Sequence, residues 1–91
     1  MTSHEVASLH IGSKIRYQYY GITTAVDEVD EGTVIGFGTY GSGETYADID
    51  WYQKFPRREH IGIVQYSLQV LLGEAFKFVT LINPVNLEEF I

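Results

Sequence analysis

The fold of this chain is decided by three short runs between residues 32 and 72: Gly32-Thr33-Val34-Ile35-Gly36-Phe37, Tyr46-Ala47-Asp48-Ile49-Asp50-Trp51 and Glu59-His60-Ile61-Gly62-Ile63-Val64. The runs are rich in β-branched and aromatic residues, and segments containing glycine or proline separate them. This composition, with glycine or proline between the runs, is typical of β-strands joined by turns. The stretch therefore predicts consecutive strands of a small all-β domain.

The middle run alternates between apolar and polar residues, so its two faces can be assigned. One face carries Ala47, Ile49 and Trp51, and the other carries Tyr46, Asp48, Asp50 and Tyr52. Burying an aspartate without a partner is costly. The aspartate face is therefore predicted to meet water, and Trp51 is predicted to lie in the core.

The segment before these runs predicts one more strand and an exposed acidic loop. Residues 14–20 alternate, and Ile15, Tyr17 and Tyr19 share the face that is expected to enter the core. Residues 21–31 end in Asp27-Glu28-Val29-Asp30-Glu31, whose four carboxylates repel one another and favour water. A loop is therefore expected over residues 21–31.

The C-terminal third predicts a last strand with a helical turn on either side. Residues 75–82 are rich in aromatic and β-branched residues and predict the closing strand. One short helical turn is expected near residues 65–69. Another is expected over residues 84–91, where Asn86 and Glu89 have the spacing of an N-terminal capping box. The barrel itself is then expected to span about residues 9–82.

Length and composition limit the classes of function. The 91 residues correspond to one domain, residues 1–91, and a net charge of −6 opposes binding to a phosphate backbone. The absence of cysteine excludes disulfides and thiolate metal sites and suits a reducing compartment. No apolar run is long enough to span a membrane, and the N-terminus lacks signal-peptide character. A cytoplasmic protein is expected.

One glycine-rich motif has the spacing of a phosphate-binding loop, but its context differs. Gly36-Phe37-Gly38-Thr39-Tyr40-Gly41 is followed by a strand, whereas phosphate binding needs a helix N-terminus there. The glycines are interpreted as a hairpin turn. His4, His10 and His60 lack the spacing of metal ligands, and no nucleophile or acid–base pair is recognisable. No enzyme activity, cofactor or metal is therefore expected.

A succession of patterns over residues 9–82 carries a family resemblance. These patterns are Leu9-x-x-Gly12-x-x-Ile15, Gly32-Thr33-Val34, Asp48-Ile49-Asp50-Trp51, His60-Ile61 after a charged turn, and Ser67-Leu68 before the closing strand. Together they resemble an SH3-like small β-barrel of about five antiparallel strands, and Tudor and KOW domains are similar. The resemblance implies a domain that binds peptides, modified side chains, RNA or protein partners and that is seldom a catalyst.

The aspartate face of the middle strand, with the acidic loop, is the predicted functional surface. Tyrosine supplies contact area at low entropic cost, and spaced negative charge suits a basic partner. The sequence thus predicts a non-enzymatic interaction module, such as an inhibitor or adaptor, that binds a protein partner. The predicted partner-binding residues are Tyr46, Asp48, Asp50, Tyr52, Asp27, Glu28, Asp30 and Glu31.

Three alternatives remain open from the sequence. A basic loop over residues 54–60 could bind nucleic acid or a nucleotide through Lys54, Arg57, Arg58 and His60. The acidic surface could instead mimic a nucleic acid, as a phage-type inhibitor would. The closing strand carries apolar residues on both faces, so a homo-oligomer is the third alternative.

Overall fold

The computed structural model describes residues 1–82, which form five strands and three short helical segments. The strands are β1 (Lys14–Gly21), β2 (Val26–Thr39), β3 (Thr45–Phe55), β4 (Glu59–Ser67) and β5 (Val79–Ile82). The helices are α1 (Ser3–Ala7) and α2 (Leu68–Leu72), and a 3₁₀ turn covers Glu74–Phe76. The C-terminal turn predicted over residues 84–91 lies outside the described residues.

The five strands form one antiparallel sheet with the order β4-β3-β2-β1-β5. Strands β1 to β4 follow one another across the sheet, and β5 returns to pair with β1. The prediction of an all-β domain with about five antiparallel strands is confirmed. This arrangement is compatible with a small barrel-like fold.

The sheet has an inner face, defined as the face that packs against α1, α2 and the 3₁₀ turn. Ile15, Val34 and Ile49 project from β1, β2 and β3 into this core, where they join Leu71 of α2, and all four side chains are fully buried. Trp51 is buried on the same face, which confirms the prediction from the alternation of β3. The core thus forms where the helical segments meet the middle strands.

Two of the predicted segments are wrong. The loop predicted over residues 21–31 ends early, because β2 begins at Val26 and its acidic residues pair with β1 as far as Glu31. Strand pairing sends neighbouring carboxylates to opposite faces, which reduces the repulsion that favours a loop. The strand predicted over residues 75–82 begins only at Val79, since the 3₁₀ turn buries Phe76 against the ring of Tyr66.

The helices begin where side chains cap their first turns. The Ser67 hydroxyl accepts a hydrogen bond from the Val70 N–H at 3.2 Å, and α2 starts at the next residue, slightly after the turn predicted near residues 65–69. The sequence prediction omits α1, although Thr2 and Glu5 form a capping box at its start. Glu5 Oε2 also accepts a hydrogen bond from the Leu81 N–H at 2.8 Å, which ties α1 to β5.

Candidate functional site

The strand register divides the predicted partner-binding residues between the two faces of the sheet. Residues directly opposite each other in an antiparallel pair share a face. Asp30 lies opposite Tyr17, and Glu28 lies opposite Tyr19, which places both carboxyl groups on the inner face. The outer face carries the other six residues, Asp27, Glu31, Tyr46, Asp48, Asp50 and Tyr52. The structure therefore does not bring the eight residues together on one surface.

Glu31 is the centre of a charge network on the outer face. Its carboxylate oxygens lie 3.8 Å from Lys14 Nζ, 3.8 Å from Arg16 Nη2 and 3.9 Å from Lys54 Nζ. Three cations around one carboxylate make the local charge positive. This part of the outer face is therefore not an acidic surface.

The two aspartates of β3 each have a polar partner on β4. His60 Nε2 lies 2.7 Å from Asp50 Oδ1, and Gln65 Nε2 donates a hydrogen bond to Asp48 Oδ1 at 3.0 Å. The ring of Tyr52 packs against the ring of His60 with centroids 4.6 Å apart. Both carboxylates are thus already hydrogen-bonded before any partner arrives.

The residues of the predicted basic loop do not form one basic surface either. Lys54 lies on β3 beside Glu31, and His60 lies on β4 beside Asp50. Arg57 and Arg58 are exposed in the turn between the two strands. Half of the predicted cluster is therefore engaged with carboxylates of the sheet.

A cavity of about 280 Å³ opens on the inner face beside the 3₁₀ turn. We call it the open pocket. Its wall consists of four aromatic side chains from four elements, four aliphatic side chains and one carboxylate. These residues are Tyr17, Trp51, Tyr66, Phe76, Ile61, Val64, Ala75, Val79 and Asp30.

Asp30 is the charged residue of the open pocket, and one of its oxygens has no partner. Burial raises the pKa of its carboxyl above the ordinary value of 3.8, and hydrogen bonds with Tyr19 and Gln53 oppose that rise. The negative charge of Glu28 adds a smaller increase. Asp30 Oδ1 is buried and accepts no hydrogen bond from residues 1–82. A buried carboxylate oxygen in this state is stabilised by a donor, and most strongly by a charged one.

Glu28 increases the negative potential next to the open pocket, and the neutral Tyr19 lies close to both carboxylates. Glu28 Oε1 accepts a hydrogen bond from Gln53 Nε2 at 2.8 Å, and its carboxylate lies over Gly21, where an added Cβ would require the Glu28 and Thr24 side chains to shift. Burial raises the pKa of Tyr19, and the charges of Asp30 and Glu28 raise it further. In the described part of the chain, neither carboxylate forms an ion pair with a lysine or arginine. The negative charge here is therefore not neutralised, in contrast to that of Glu31 on the outer face.

The aromatic side chains around the open pocket are held by a hydrogen bond and by ring contacts. Trp51 Nε1 donates a hydrogen bond to the Tyr66 hydroxyl at 2.8 Å, and Tyr66 meets Phe76 edge to face with centroids 4.8 Å apart. Tyr17 stacks on Tyr19 at a centroid distance of 4.8 Å. Burial raises the pKa of Tyr66, so its hydroxyl stays protonated at neutral pH. Ring faces beside a carboxylate are suited to an organic cation.

Sequence reasoning identifies Asp30 but misses the residues that surround it. Tyr17 and Trp51 are assigned to the core from alternation alone, and Tyr66 receives no role. The available signal is the alternation of β1, which places Tyr17 and Tyr19 on one face. The pairing of that face with Asp30 depends on register between strands, which short-range patterns do not contain.

Comparisons with protein-family models, with curated proteins and with solved structures find no match to this chain. Among residues 1–82, no helix combines the length and the apolar character that crossing a membrane requires. In the same range, no three or more His, Cys, Asp or Glu side chains come together as a potential metal site. Function is therefore inferred from the geometry of the open pocket.

Proposed function

We propose that this chain is a non-enzymatic interaction module that binds a protein partner by receiving one of its cationic side chains in the open pocket. The observation that carries this proposal is the buried Asp30 Oδ1, which has no partner in residues 1–82 and lies among aromatic side chains. A lysine or arginine side chain supplies both the hydrogen-bond donor and the positive charge that this oxygen lacks.

The walls of the open pocket support the same class of ligand. A cation over an aromatic face is attracted by the ring, and the attraction grows when water is excluded. The aliphatic stem of a lysine or arginine can pack on Ile61 and Val64 while its charged head reaches Asp30. A neutral apolar side chain would leave Asp30 Oδ1 without a donor. The open pocket is therefore expected to select its ligand by charge.

The fold is consistent with a binding role. A short helical segment leads into the closing strand, and β5 pairs with β1, which supports the SH3-like small barrel inferred from the sequence. The resemblance implies binding of peptides or proteins rather than catalysis. An adaptor or an inhibitor of a basic partner fits both the fold and the open pocket.

The outer face is a second candidate for the partner surface. Its support is the exposure of Tyr52 and of the neighbouring Ile63, which are 42% and 61% exposed. Asp48 and Asp50 weaken this candidate, because each is already hydrogen-bonded to a β4 residue. Nucleic-acid binding at residues 54–60 has less support, since two of its four side chains face carboxylates.

A matched pair of small probes tests the open pocket directly. Nα-acetyl-lysine amide carries the cation, and Nα-acetyl-norleucine amide has a similar stem without charge. Trp51 is the only tryptophan of the chain, so its indole N–H gives a single NMR signal from the pocket wall. We expect the lysine probe to shift this signal in a saturable way and the norleucine probe to bind about tenfold more weakly, which corresponds to roughly 1.4 kcal/mol.

Two aspartate variants separate the open pocket from the outer face. Asp30→Asn is expected to reduce affinity for the lysine probe to that of the norleucine probe, because it removes the charge without changing the shape. Asp48→Asn is the matched control on the outer face and is expected to bind as the native chain does. Equal binding of the two probes, or equal loss in the two variants, would contradict the proposed function.

A further inference from the structure

The inner face carries a second carboxylate next to the open pocket, on the same strand as Asp30. Asp30 and Glu28 are alternate residues of β2, and they lie opposite Tyr17 and Tyr19 of β1. Alternate residues of a strand are about 6.6 Å apart along it. Glu28 is not part of the pocket wall, but it is only partly buried. We call these two carboxylates the anionic pair, and a ligand of the open pocket that extends along β2 meets both.

Gln53 of β3 holds the anionic pair in place. Its Nε2 donates a hydrogen bond to Glu28 Oε1 at 2.8 Å, and the same side chain hydrogen-bonds to Asp30. Gln53 lies directly opposite Asp30 in the pairing of β2 with β3, so strand register positions it. An amide is neutral and orients both carboxylates without neutralising their charge. The anionic pair is therefore built on paired strands and keeps its negative charge.

A single bound cation neutralises only half of the anionic pair. A lysine or arginine side chain in the open pocket supplies the donor that the buried Asp30 Oδ1 lacks, but it leaves Glu28 without a counterion. Burial is the main cause of the raised pKa of Asp30, and the negative charge of Glu28 raises that pKa further, so the two carboxylates repel each other. A second cation at Glu28 removes this repulsion. The anionic pair therefore favours a ligand with two positive charges.

We propose that the partner presents an extended segment with cationic side chains at alternate positions, one bound by Asp30 in the open pocket and the other by Glu28. This inference rests on the proposed function, which requires only the first of the two cations. In an extended segment, alternate side chains share one face at a spacing of about 6.6 Å, which matches the anionic pair, and adjacent side chains point to opposite faces. Once the first cation is bound, the second contact forms at a high effective concentration.

Two isomeric peptides test the spacing of the cations. Both are acetylated and amidated; one has the order lysine-valine-lysine and the other the order lysine-lysine-valine, so their composition and charge are equal. Valine favours an extended backbone, and a tripeptide is too short to form a helix. With the indole signal of Trp51 as the readout, we expect the peptide with alternate lysines to bind about fivefold more tightly, as one additional, partly exposed ion pair allows. Equal affinities of the two peptides would overturn the inference.

A matched pair of variants locates the second contact. Glu28→Gln removes the charge but keeps an oxygen that can accept the Gln53 hydrogen bond, and we expect it to make the two peptides bind equally. Asp27→Asn removes one charge from the neighbouring residue, on the outer face, and should preserve the difference between the peptides.

The outcomes separate this inference from the proposed function. A difference between the peptides that persists in Glu28→Gln would overturn the assignment of the second cation to Glu28. Equal binding of the peptides to a native chain that still binds the lysine probe through Asp30 would overturn this inference alone. A native chain that does not bind the lysine probe would overturn the proposed function, and this inference with it.

Discussion

Val34 and Val64 lie on the same face of the sheet, on either side of Ile49, yet their surroundings differ. Val34 is fully buried, whereas Val64 is 41% exposed and borders the open pocket. The inner face thus has a covered half, defined by Ile15, Val34 and Ile49, and an open half, defined by Tyr17, Asp30 and Val64. Alternation along a strand decides which way a side chain points. What covers that side chain is decided by other parts of the chain.

The difference between the two halves follows from the lengths of the elements. α1 and α2 have five residues each, so each is only about 7.5 Å long at 1.5 Å per residue. β2 has fourteen residues, or about 46 Å measured along the strand, in a molecule 41 Å across. Short helices cannot cover a sheet of that length. β1 and β2 therefore extend past their cover, and their inner face there carries tyrosines and carboxylates in place of aliphatic residues. Val64 lies level with Ile49, and it is exposed on the edge strand β4.

The largest effect on stability is expected for Val34→Ala, and Val64→Ala is the matched comparison on the other side of Ile49. Val34→Ala should lower the free energy of unfolding by about 2–3 kcal/mol, since each buried methyl group contributes roughly 1 kcal/mol. Val64→Ala removes the same atoms from the open half and should cost less than about 1 kcal/mol. Urea denaturation of both variants measures the difference. Similar losses in the two variants would show that the open half is packed as tightly as the covered half.

The contrast between these halves also shows what the sequence could predict. The alternation of β3 is local, and it correctly places Ile49 and Trp51 in the core. The start of β2 at Val26 is not predictable from local charge, because pairing with β1 makes an acidic strand tolerable. The open pocket joins Tyr17, Asp30 and Tyr66 from three strands, and their alignment depends on the pairing of β1 with β2, of β2 with β3 and of β3 with β4. Such alignments depend on contacts far apart in sequence.

A smaller effect on the free energy of unfolding is expected from weakening α1, one of the short helices that cover the inner face. The Thr2 hydroxyl accepts a hydrogen bond from the Glu5 N–H at 3.1 Å and so caps α1. Thr2→Ala should lower the free energy of unfolding by about 1 kcal/mol, the usual cost of losing such a cap. Thr23→Ala, in the exposed β1–β2 turn, is the control and should change little. A loss as large as that of Val34→Ala would mean that α1 carries more of the covered half than its length suggests.

The smallest effect on stability, and one of opposite sign, is expected for Asp30→Asn in the open half. Burial raises the pKa of Asp30 above 3.8 in the folded chain, so folding disfavours the ionised carboxylate. Removing the charge should therefore stabilise the fold slightly at neutral pH. As pH falls through the raised pKa towards 3.8, the native carboxyl becomes protonated, and the difference between native and variant should shrink. Urea denaturation of both proteins at neutral and acidic pH measures this difference.

Protonation of Asp30 should also lower the affinity of the open pocket for the lysine probe. Affinity for the lysine probe requires the ionised carboxylate, so it should decline at a higher pH than an ordinary aspartate would give. A variant that gains stability while losing affinity would show that Asp30 is kept in the open half at a cost to folding, as expected for a binding residue. If Asp30→Asn instead destabilised the chain at neutral pH, its hydrogen bonds with Tyr19 and Gln53 would outweigh burial. The carboxylate would then be a structural element of the sheet, and the open half would differ from the covered half only in the polarity of its packing.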